Sequence, residues 1–484
     1  MHPVIALPEA LSAPASAAAL PWVGVAPGAP YFVTEGGAPW TPIGQNDAVD
    51  WPELNGLFRR RDLAAVDRHL VWLASQGVTC LRLMVEYAQG RHRFLERPTG
   101  VYVPAMVRLW DDLFALCERH GLRILLTPVD TFWMWLRWRD HPWNTAQGGP
   151  LRHMGEALTC GPTRAAIKAR LTFMVTRWGG SGALFAWDLW NEIHPAHGGD
   201  RVDSWPEFIA DLSHHVRALE QRLYGRTHPQ TVSLFGPELQ HRPELDMAGP
   251  IFRHPDLDFA TIHIYRHGAI DDPRNTVAAT VAMGDVVRDC LAEITDRRPF
   301  LDTEHGPIHR FKDKKRSLPE AFDDEYFRHM SWAHLASGGA GGGMRWPNRH
   351  PHVLTPGMRR AQHAMAGFLP LIDWPSFARV NLSEAVGATG FHHFACGDAA
   401  QAVVWLLRRR SLAADGRIDA GATPIAPRVT VPGLAPGRYR ITGWDTAAGV
   451  VTETLEANVG ETLRFTPAPI IADRAFAIRR VSAG

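Results

Sequence analysis

Between about residues 30 and 350, short apolar segments of β type alternate with longer segments of helical periodicity. This alternation constrains the fold more than any other feature of the sequence, because parallel strands must be joined by crossover connections that usually contain a helix. Eight strand–helix units fit into a stretch of about 320 residues, as in a barrel with insertions. We therefore predict an α/β fold, a (β/α)8 TIM barrel over residues 30–370. The eight β-type segments are residues 30–46, 78–87, 122–130, 184–192, 231–236, 259–265, 299–305 and 340–346.

Three of the connecting segments have a clear helical pattern. Residues 64–77, 105–121 and 164–180 carry apolar side chains at spacings of three and four, which indicates helices with one buried face. Each segment ends in glycine, which commonly follows the last turn of a helix. These are the most clearly predicted helices of the barrel.

The pattern changes after residue 377 to short alternating strands separated by turn residues. We predict that residues 371–484 form a small all-β sandwich domain and that residues 1–29 are an N-terminal extension. The sandwich is expected to support the barrel, although a carbohydrate-binding module is an alternative that the sequence leaves open.

The charge balance argues against polyanionic partners. The sequence has 51 Lys and Arg against 50 Asp and Glu, so nothing favours binding to nucleic acid or to an anionic membrane. The 18 tryptophans offer indole faces that suit sugar rings as well as protein cores. A glycine-rich segment at residues 337–346 lacks the Lys-Ser/Thr of a phosphate loop, and we expect no cofactor. A neutral carbohydrate is the expected partner, and the oligomeric state is left open.

The N-terminal segment bears on location. It has no Lys or Arg before Arg59, and prolines interrupt its apolar stretch, so it makes a poor secretory signal. No apolar run approaches the roughly 20 residues that span a bilayer. We expect a cytoplasmic protein, with a secreted or periplasmic location as the alternative.

Two carboxylates follow apolar β-type segments. Strand four is predicted to close with Glu192, and strand seven with Glu304. Residues at the ends of barrel strands face the C-terminal mouth, so these two side chains can meet there. A retaining glycosidase needs one carboxyl group as proton donor and a second as nucleophile, about 5 to 5.5 Å away. The pair therefore predicts glycoside hydrolysis with retention, Glu192 acting as acid/base and Glu304 as nucleophile.

The two roles need different surroundings. Glu192 must hold a proton before the first step, so apolar neighbours and an anionic Glu304 are expected to raise its pKa. Glu304 must stay ionised, and Arg82 on strand two is a candidate to favour its charge. Tyr265 is a candidate to donate a further hydrogen bond.

These residues resemble those of glycoside hydrolase clan A, particularly family 5. The segments that carry the resemblance are WDLWNE at residues 187–192, HIY at 263–265 and TEHG at 303–306, and it spans roughly residues 30–350. It implies that Glu192 is the acid/base and Glu304 the nucleophile, and that Asn191 bonds the sugar 2-hydroxyl. It also matches further positions of the family's substrate site to Arg82, His263, Tyr265 and Trp346. The implied substrates are β-linked glucosides or mannosides, in oligo- or polysaccharides.

Other candidates rest on position in the predicted barrel. Asn46 and Asp130 follow strands one and three and are expected to hydrogen-bond sugar hydroxyls. The long segment after strand three carries Trp143 together with three other tryptophans, at residues 133, 135 and 138. One or two of these four rings are expected to stack on substrate, although loop tryptophans often pack down on a barrel.

Two other functions stay open at this point. The 24 histidines leave room for a metal-dependent hydrolase, but none of them follows a recognised zinc spacing such as HExxH, and no metal ligand is predicted. A carbohydrate-binding barrel without catalysis is the other alternative, against which the intact pair of glutamates argues.

Overall fold

The computed structural model describes residues 20–86, 94–308 and 317–481. Eight parallel strands form one sheet whose neighbours follow chain order, with the eighth strand beside the first. The sheet closes between the fifth and sixth strands, where Phe235 bridges His263 and the His263 N–H donates to the carbonyl of Leu234 at 2.8 Å. The predicted (β/α)8 barrel is confirmed. Its strands are β1 (Gly44–Asp47), β2 (Cys80–Met84), β3 (Arg123–Thr127), β4 (Leu184–Asp188), β5 (Gln230–Thr231), β6 (Ala260–Ile264), β7 (Phe300–His305) and β8 (Met344–Arg345).

The first predicted strand was wrong in extent. Residues 30–46 do not form one strand, because Phe32–Thr34 and Pro39–Trp40 join Val23–Val25 in a separate antiparallel sheet of three strands. The barrel begins only at Gly44. The small sheet spans the predicted domain boundary at residue 29.

Helices cover the outside of the barrel, and the three most clearly predicted ones are present. Helix α1 begins at an N-cap, Asp62, whose side chain accepts from the Ala65 N–H. Helix α2 ends at Gly121, whose φ of 73° is left-handed and favours glycine. The helices are α1 (Leu63–Ser75), α2 (Pro104–His120), α3 (Thr131–Arg137), α4 (Gly161–Trp178), α5 (Trp205–Tyr224), α6 (Gly236–His241), α7 (Gly249–Phe252), α8 (Thr276–Glu293), α9 (Glu320–Ala336) and α10 (Pro356–Phe368).

The C-terminal region is an antiparallel β-sandwich, as predicted. It has a six-stranded sheet in the order β9-β11-β12-β17-β14-β15 and a three-stranded sheet in the order β10-β13-β16. A hydrophobic core of its own lies between the sheets. The predicted boundary at residues 370 and 371 falls inside a 3-10 turn, Leu369–Leu371. The strands are β9 (Val380–Asn381), β10 (Gly387–Ala388), β11 (Phe391–Gly397), β12 (Gln401–Arg408), β13 (Val429–Pro432), β14 (Gly437–Asp445), β15 (Val450–Val459), β16 (Thr462–Phe465) and β17 (Asp473–Arg480).

The barrel and the sandwich share buried surface. Phe394, Trp405 and Trp444 of the sandwich belong to the same hydrophobic cluster as the barrel core. Arg328 of α9 forms an ion pair with Asp473 of β17 at 2.5 Å. The six-stranded sheet therefore packs directly on the barrel helices. Among the helices of the described ranges, none combines the length and the apolar character needed to cross a membrane.

Candidate active site

Glu192 and Glu304 meet at the C-terminal mouth of the barrel, as the sequence predicted. One carboxylate oxygen of each and a ring nitrogen of His263 all lie within 4.8 Å of one another. Both carboxylates are largely buried, since the Glu192 side chain is 17% exposed and that of Glu304 is 7% exposed. The short separation suits a retaining pair better than an inverting one, in which the carboxyl groups lie roughly 6.5–9.5 Å apart.

Local backbone features orient the two glutamates. The pairing of β7 with β6 shifts register between Asp302 and Glu304, an irregularity of the kind that re-aims a side chain. Glu192 has a φ of 51°, in the left-handed region that is unfavourable for a non-glycine residue. Its N–H donates to Ser233 Oγ at 3.1 Å, which holds this conformation.

Two donors bind the Glu304 carboxylate. Arg82 Nη1 lies 2.5 Å from Oε1, and the Tyr265 hydroxyl donates to Oε2 at 3.0 Å. Burial raises the pKa of Glu304 above its ordinary value, and Arg82 and then Tyr265 offset only part of that rise. These two donors favour the ionised form of Glu304, whereas its burial disfavours that form.

Glu192 has a different environment. Its Oε1 lies 2.7 Å from His263 Nδ1, and burial lowers the pKa of His263 well below its usual range, so this imidazole is neutral. Burial and then the charge of Glu304 raise the pKa of Glu192 well above its usual range. A protonated Glu192 can donate to Nδ1, whereas an ionised Glu192 can accept from it, so the contact serves both protonation states.

Arg82 connects several parts of the site. It is fully buried and also donates to Asn46 Oδ1, Asp188 Oδ2 and Asn191 Oδ1, at 2.9, 2.7 and 2.6 Å. A fixed guanidinium fork of this kind holds several oxygens in set directions. Arg82 thereby links Glu304 to β1, β4 and the segment that carries Glu192.

Asn46, Asp130 and Trp143, which the sequence predicts to contact substrate, each have protein partners in the structure. Asn46 is buried, and its amide donates to the Thr303 carbonyl at 2.8 Å. Asp130 is buried and accepts from Asn191 Nδ2 at 2.8 Å. Trp143 is fully buried and cannot offer a ring face to a sugar. The predicted stacking of Trp143 on a sugar is therefore wrong, whereas the predicted contacts of Asn46 and Asp130 with sugar hydroxyls stay predictions.

The other predicted substrate residues fall into two groups. Arg82, His263 and Tyr265 contact the two carboxylates, whereas Trp346 is partly buried and packs edge-on against Trp51, with ring centroids 5.3 Å apart. The amide of Asn191 contacts Arg82 and Asp130, and its predicted bond to a sugar hydroxyl stays a prediction.

Sequence reasoning missed two polar residues. Asp188 Oδ2 binds Arg82 and also accepts from the Ser233 hydroxyl at 2.9 Å. Asp188 lies inside the quoted WDLWNE segment, where a carboxylate within an apolar strand was an available signal. Ser233 gave no comparable signal, because a serine in a short apolar segment is common.

Two clusters among the described residues have metal-ligand chemistry. Glu192, His263 and Glu304 form one, and Asp47, Glu53 and His69 form the other. In the first, Arg82 already supplies a positive charge 2.5 Å from Glu304, which disfavours a second cation at that oxygen. No metal ligand was predicted from the sequence.

The eight-stranded barrel with two glutamates at its mouth is the arrangement that the resemblance to glycoside hydrolase clan A implies. No family model matches the chain. It is 22% identical over 258 residues to mannan endo-1,4-beta-mannosidase 7 of Arabidopsis thaliana, a match covering 49% of this chain and 55% of that protein. It is 26% identical over 226 residues to mannan endo-1,4-beta-mannosidase 3 of Oryza sativa subsp. japonica, covering 42% and 46%. The chain thus spans about half the length of these curated relatives.

A solved structure matches nearly the whole chain. A glycoside hydrolase family 5 protein from Bacteroides vulgatus superimposes with a TM-score of 0.57 at 12% identity, covering 95% of both chains. At that identity the likeness concerns the fold, which includes the C-terminal domain. Together with the sequence matches, it supports a likeness to glycoside hydrolase family 5 of clan A.

Proposed function

We propose that the chain hydrolyses β-linked mannosides with retention of configuration. The proposal rests on the arrangement of two buried carboxylates, Glu192 and Glu304. An oxygen of each lies within 4.8 Å of the other and of one nitrogen of His263. Arg82 and Tyr265 bind Glu304, whereas Glu192 faces the neutral ring of His263. The arrangement supports one ionised and one protonated carboxyl group at neutral pH.

In the first step, the Glu304 carboxylate attacks the anomeric carbon. The bond from that carbon to the glycosidic oxygen breaks, and Glu192 gives its proton to the departing oxygen. The sugar is then an ester of Glu304 and Glu192 is ionised. Loss of the negative charge on Glu304 lowers the pKa of Glu192, so that it can act as a base in the next step.

In the second step, water replaces the leaving group. Glu192 removes a proton from the water as its oxygen bonds the anomeric carbon, and the ester bond to Glu304 breaks. Both glutamates return to their starting states. Arg82 and Tyr265 stay bound to Glu304 throughout, and they stabilise the charge that returns to it.

The names of the relatives support mannosides over glucosides. Both curated relatives reported above are named as mannan endo-1,4-beta-mannosidases. The sequence alone left the two sugars open, and a direct comparison of substrates decides between them.

The test is a panel of 4-nitrophenyl β-mannoside, 4-nitrophenyl β-glucoside and β-1,4-manno-oligosaccharides. We expect the native protein to hydrolyse mannosides, and Glu192→Ala and Glu304→Ala each to lose at least ~10²-fold of the oligosaccharide rate. Glu207→Ala is a matched control, because that carboxylate on α5 is 82% exposed and should leave the rate unchanged. Binding without cleavage would point instead to a carbohydrate-binding barrel.

A chelator control tests the metal-dependent alternative, which the cluster of Glu192, His263 and Glu304 raises. We expect rates to be unchanged after dialysis against EDTA. Loss of activity on chelation, with recovery on adding one divalent metal, would favour a metal-dependent hydrolase over the two-carboxylate mechanism.

A further inference from the structure

Trp135 is a large apolar side chain that stays exposed beside the candidate active site. Its side chain is 39% exposed, whereas Trp133 and Trp143 of the same segment are buried. It lies on α3, which begins directly after the carboxyl end of β3, on the face of the barrel that carries Glu192 and Glu304. Tryptophan is enriched at interfaces, where its apolar ring can pack on a ligand.

Helix α3 is tied to the segment that carries Glu192. Asp130 is the N-cap of α3 and accepts from both the Phe132 N–H and Asn191 Nδ2. Thr131 Oγ1 accepts from Trp190 Nε1 at 2.7 Å. These bonds fix the position of Trp135 relative to the acid/base.

Two further residues adjoin Trp135. The ring of His194, two residues after Glu192, lies edge-on to the Trp135 ring, with centroids 4.8 Å apart. His194 Nε2 lies 3.5 Å from Oε2 of Glu238, which is on α6 after β5. An aromatic ring, an imidazole and a carboxylate therefore adjoin one another at the ends of β3, β4 and β5.

We propose that Trp135, His194 and Glu238 form a subsite for the sugar on the leaving-group side of the bond that is cleaved, which we term the Trp135 subsite. The proposal rests on the proposed function, because it takes Glu192 as the residue that protonates the glycosidic oxygen. The departing sugar lies on the Glu192 side of that oxygen, and His194 follows Glu192 by two residues. The Trp135 ring packs on the apolar face of a pyranose, while Glu238 accepts hydrogen bonds from its hydroxyls.

The subsite predicts that Trp135 matters only when the leaving group is a sugar. We expect Trp135→Ala to raise KM for β-1,4-mannotetraose about tenfold, because it removes one sugar-stacking ring. It should leave kcat/KM for 4-nitrophenyl β-mannoside within about twofold, since that leaving group does not extend to a second sugar. Trp135→Phe keeps an aromatic face and should recover most of the loss.

Trp72→Ala is the matched control, since Trp72 on α1 is 42% exposed and lies outside the described site. We expect this variant to leave the kinetic constants for both substrates unchanged. Equal losses on both substrates for Trp135→Ala would overturn the proposal in favour of a structural role, and so would no loss on the tetraose.

Failure of the proposed function can be distinguished from failure of the Trp135 subsite. If the native protein turns over neither substrate, calorimetric titration of the native protein and Trp135→Ala with mannotetraose tests the subsite alone. Weaker binding by at least fivefold in the variant supports the subsite, whereas equal affinity, or no binding to the native protein, overturns it.

Discussion

At the residue scale, two chemically identical side chains acquire different properties from their neighbours. Glu304 has a guanidinium at 2.5 Å and a phenol at 3.0 Å, both of which favour its charge. Glu192 faces the neutral ring of His263 and has no bond to Arg82 among the contacts of the described residues. Because the pair interacts closely, a rate profile will report two pKa values that belong to the pair.

Tyr265→Phe tests the surroundings of Glu304. Activity should fall at low pH as Glu304 becomes protonated, and at high pH as Glu192 loses its proton. The Tyr265 hydroxyl lowers the pKa of Glu304, so its removal should raise that pKa and shift the acid limb of kcat/KM upward by about one pH unit. A shift downward, or none, would contradict the assignment.

Tyr326→Phe is the control for that measurement. The Tyr326 hydroxyl is also buried and donates to the Ile270 carbonyl at 2.7 Å, away from both glutamates. We expect its profile to match that of the native protein.

Site residues could be predicted from the sequence only where the prediction did not depend on the direction of the side chain. Glu192 and Glu304 could be selected as candidates because burying a carboxylate after an apolar strand costs free energy, and such carboxylates are usually ion-paired or functional. Asn46 and Asp130 have equivalent positions at strand ends, yet their side chains hydrogen-bond Arg82 and Asn191, which the sequence did not reveal. Sequence position identifies the face of the barrel but not the partner of each side chain.

At the scale of elements, a buried ion network joins the end of β2 to α4. Arg170 of α4 contacts Glu86 at 2.8 Å and Glu96 at 2.5 Å, and the indole N–H of Trp143 donates to Glu96 at 3.1 Å. Burial raises the pKa of Glu86, but Arg170 and then His141 lower it to below its ordinary value. Trp143 therefore has a structural role in supporting the loops around the mouth.

Arg170→Met tests that network. It should leave two buried carboxylates without a cation and lower the free energy of unfolding by about 3–5 kcal/mol. Arg177→Met, on the same helix but 45% exposed and paired with Asp111, should cost less than about 1 kcal/mol. Urea unfolding of both variants measures the difference, and equal small losses would mean that the network contributes little.

At the scale of the whole molecule, the sandwich is bound to the barrel by polar as well as apolar contacts. Asp473 of β17 pairs with Arg328 of α9 and accepts from Trp405 Nε1 at 3.0 Å. Burial raises the pKa of Asp473, but Arg328 and His329 lower it by a larger amount, so the pKa lies well below its usual range. The ionised Asp473 therefore stabilises the folded state at pH values above the pKa that it has in the unfolded chain. This stabilisation is lost as the pH falls toward the lower pKa of the folded state.

Asp473→Ala should lower the free energy of unfolding at pH 7 by about 3 kcal/mol or more, since it leaves Arg328 buried without its partner. Below about pH 4 the variant should lose stability less steeply than the native protein, because it lacks this titrating group. Asp415→Ala removes an exposed carboxylate and should change neither property. Calorimetry across pH measures both, and equal acid slopes for the native protein and Asp473→Ala would contradict the role of Asp473.

The sandwich also shows where sequence patterns fail for whole elements. Strand β15 alternates clearly only in its second half, at Leu455, Ala457 and Val459, because its first half is mostly exposed. Strand β11 contacts the barrel as well as its own sheet and is buried along most of its length, which also removes the alternation. The sequence therefore predicts an all-β region but not the limits of these two strands.

The most direct test of the central claim is to trap the covalent intermediate. A 2-deoxy-2-fluoro β-mannoside with a good leaving group should inactivate the native protein. Fluorine at C2 slows both steps, but the good leaving group keeps the first step fast, so the covalent intermediate accumulates. Peptide mass spectrometry should then find one fluorosugar on the peptide that contains Glu304, and NMR of the unfluorinated reaction should show the β-anomer as the first product. A label on another residue, or the α-anomer as the first product, would contradict retention through Glu304.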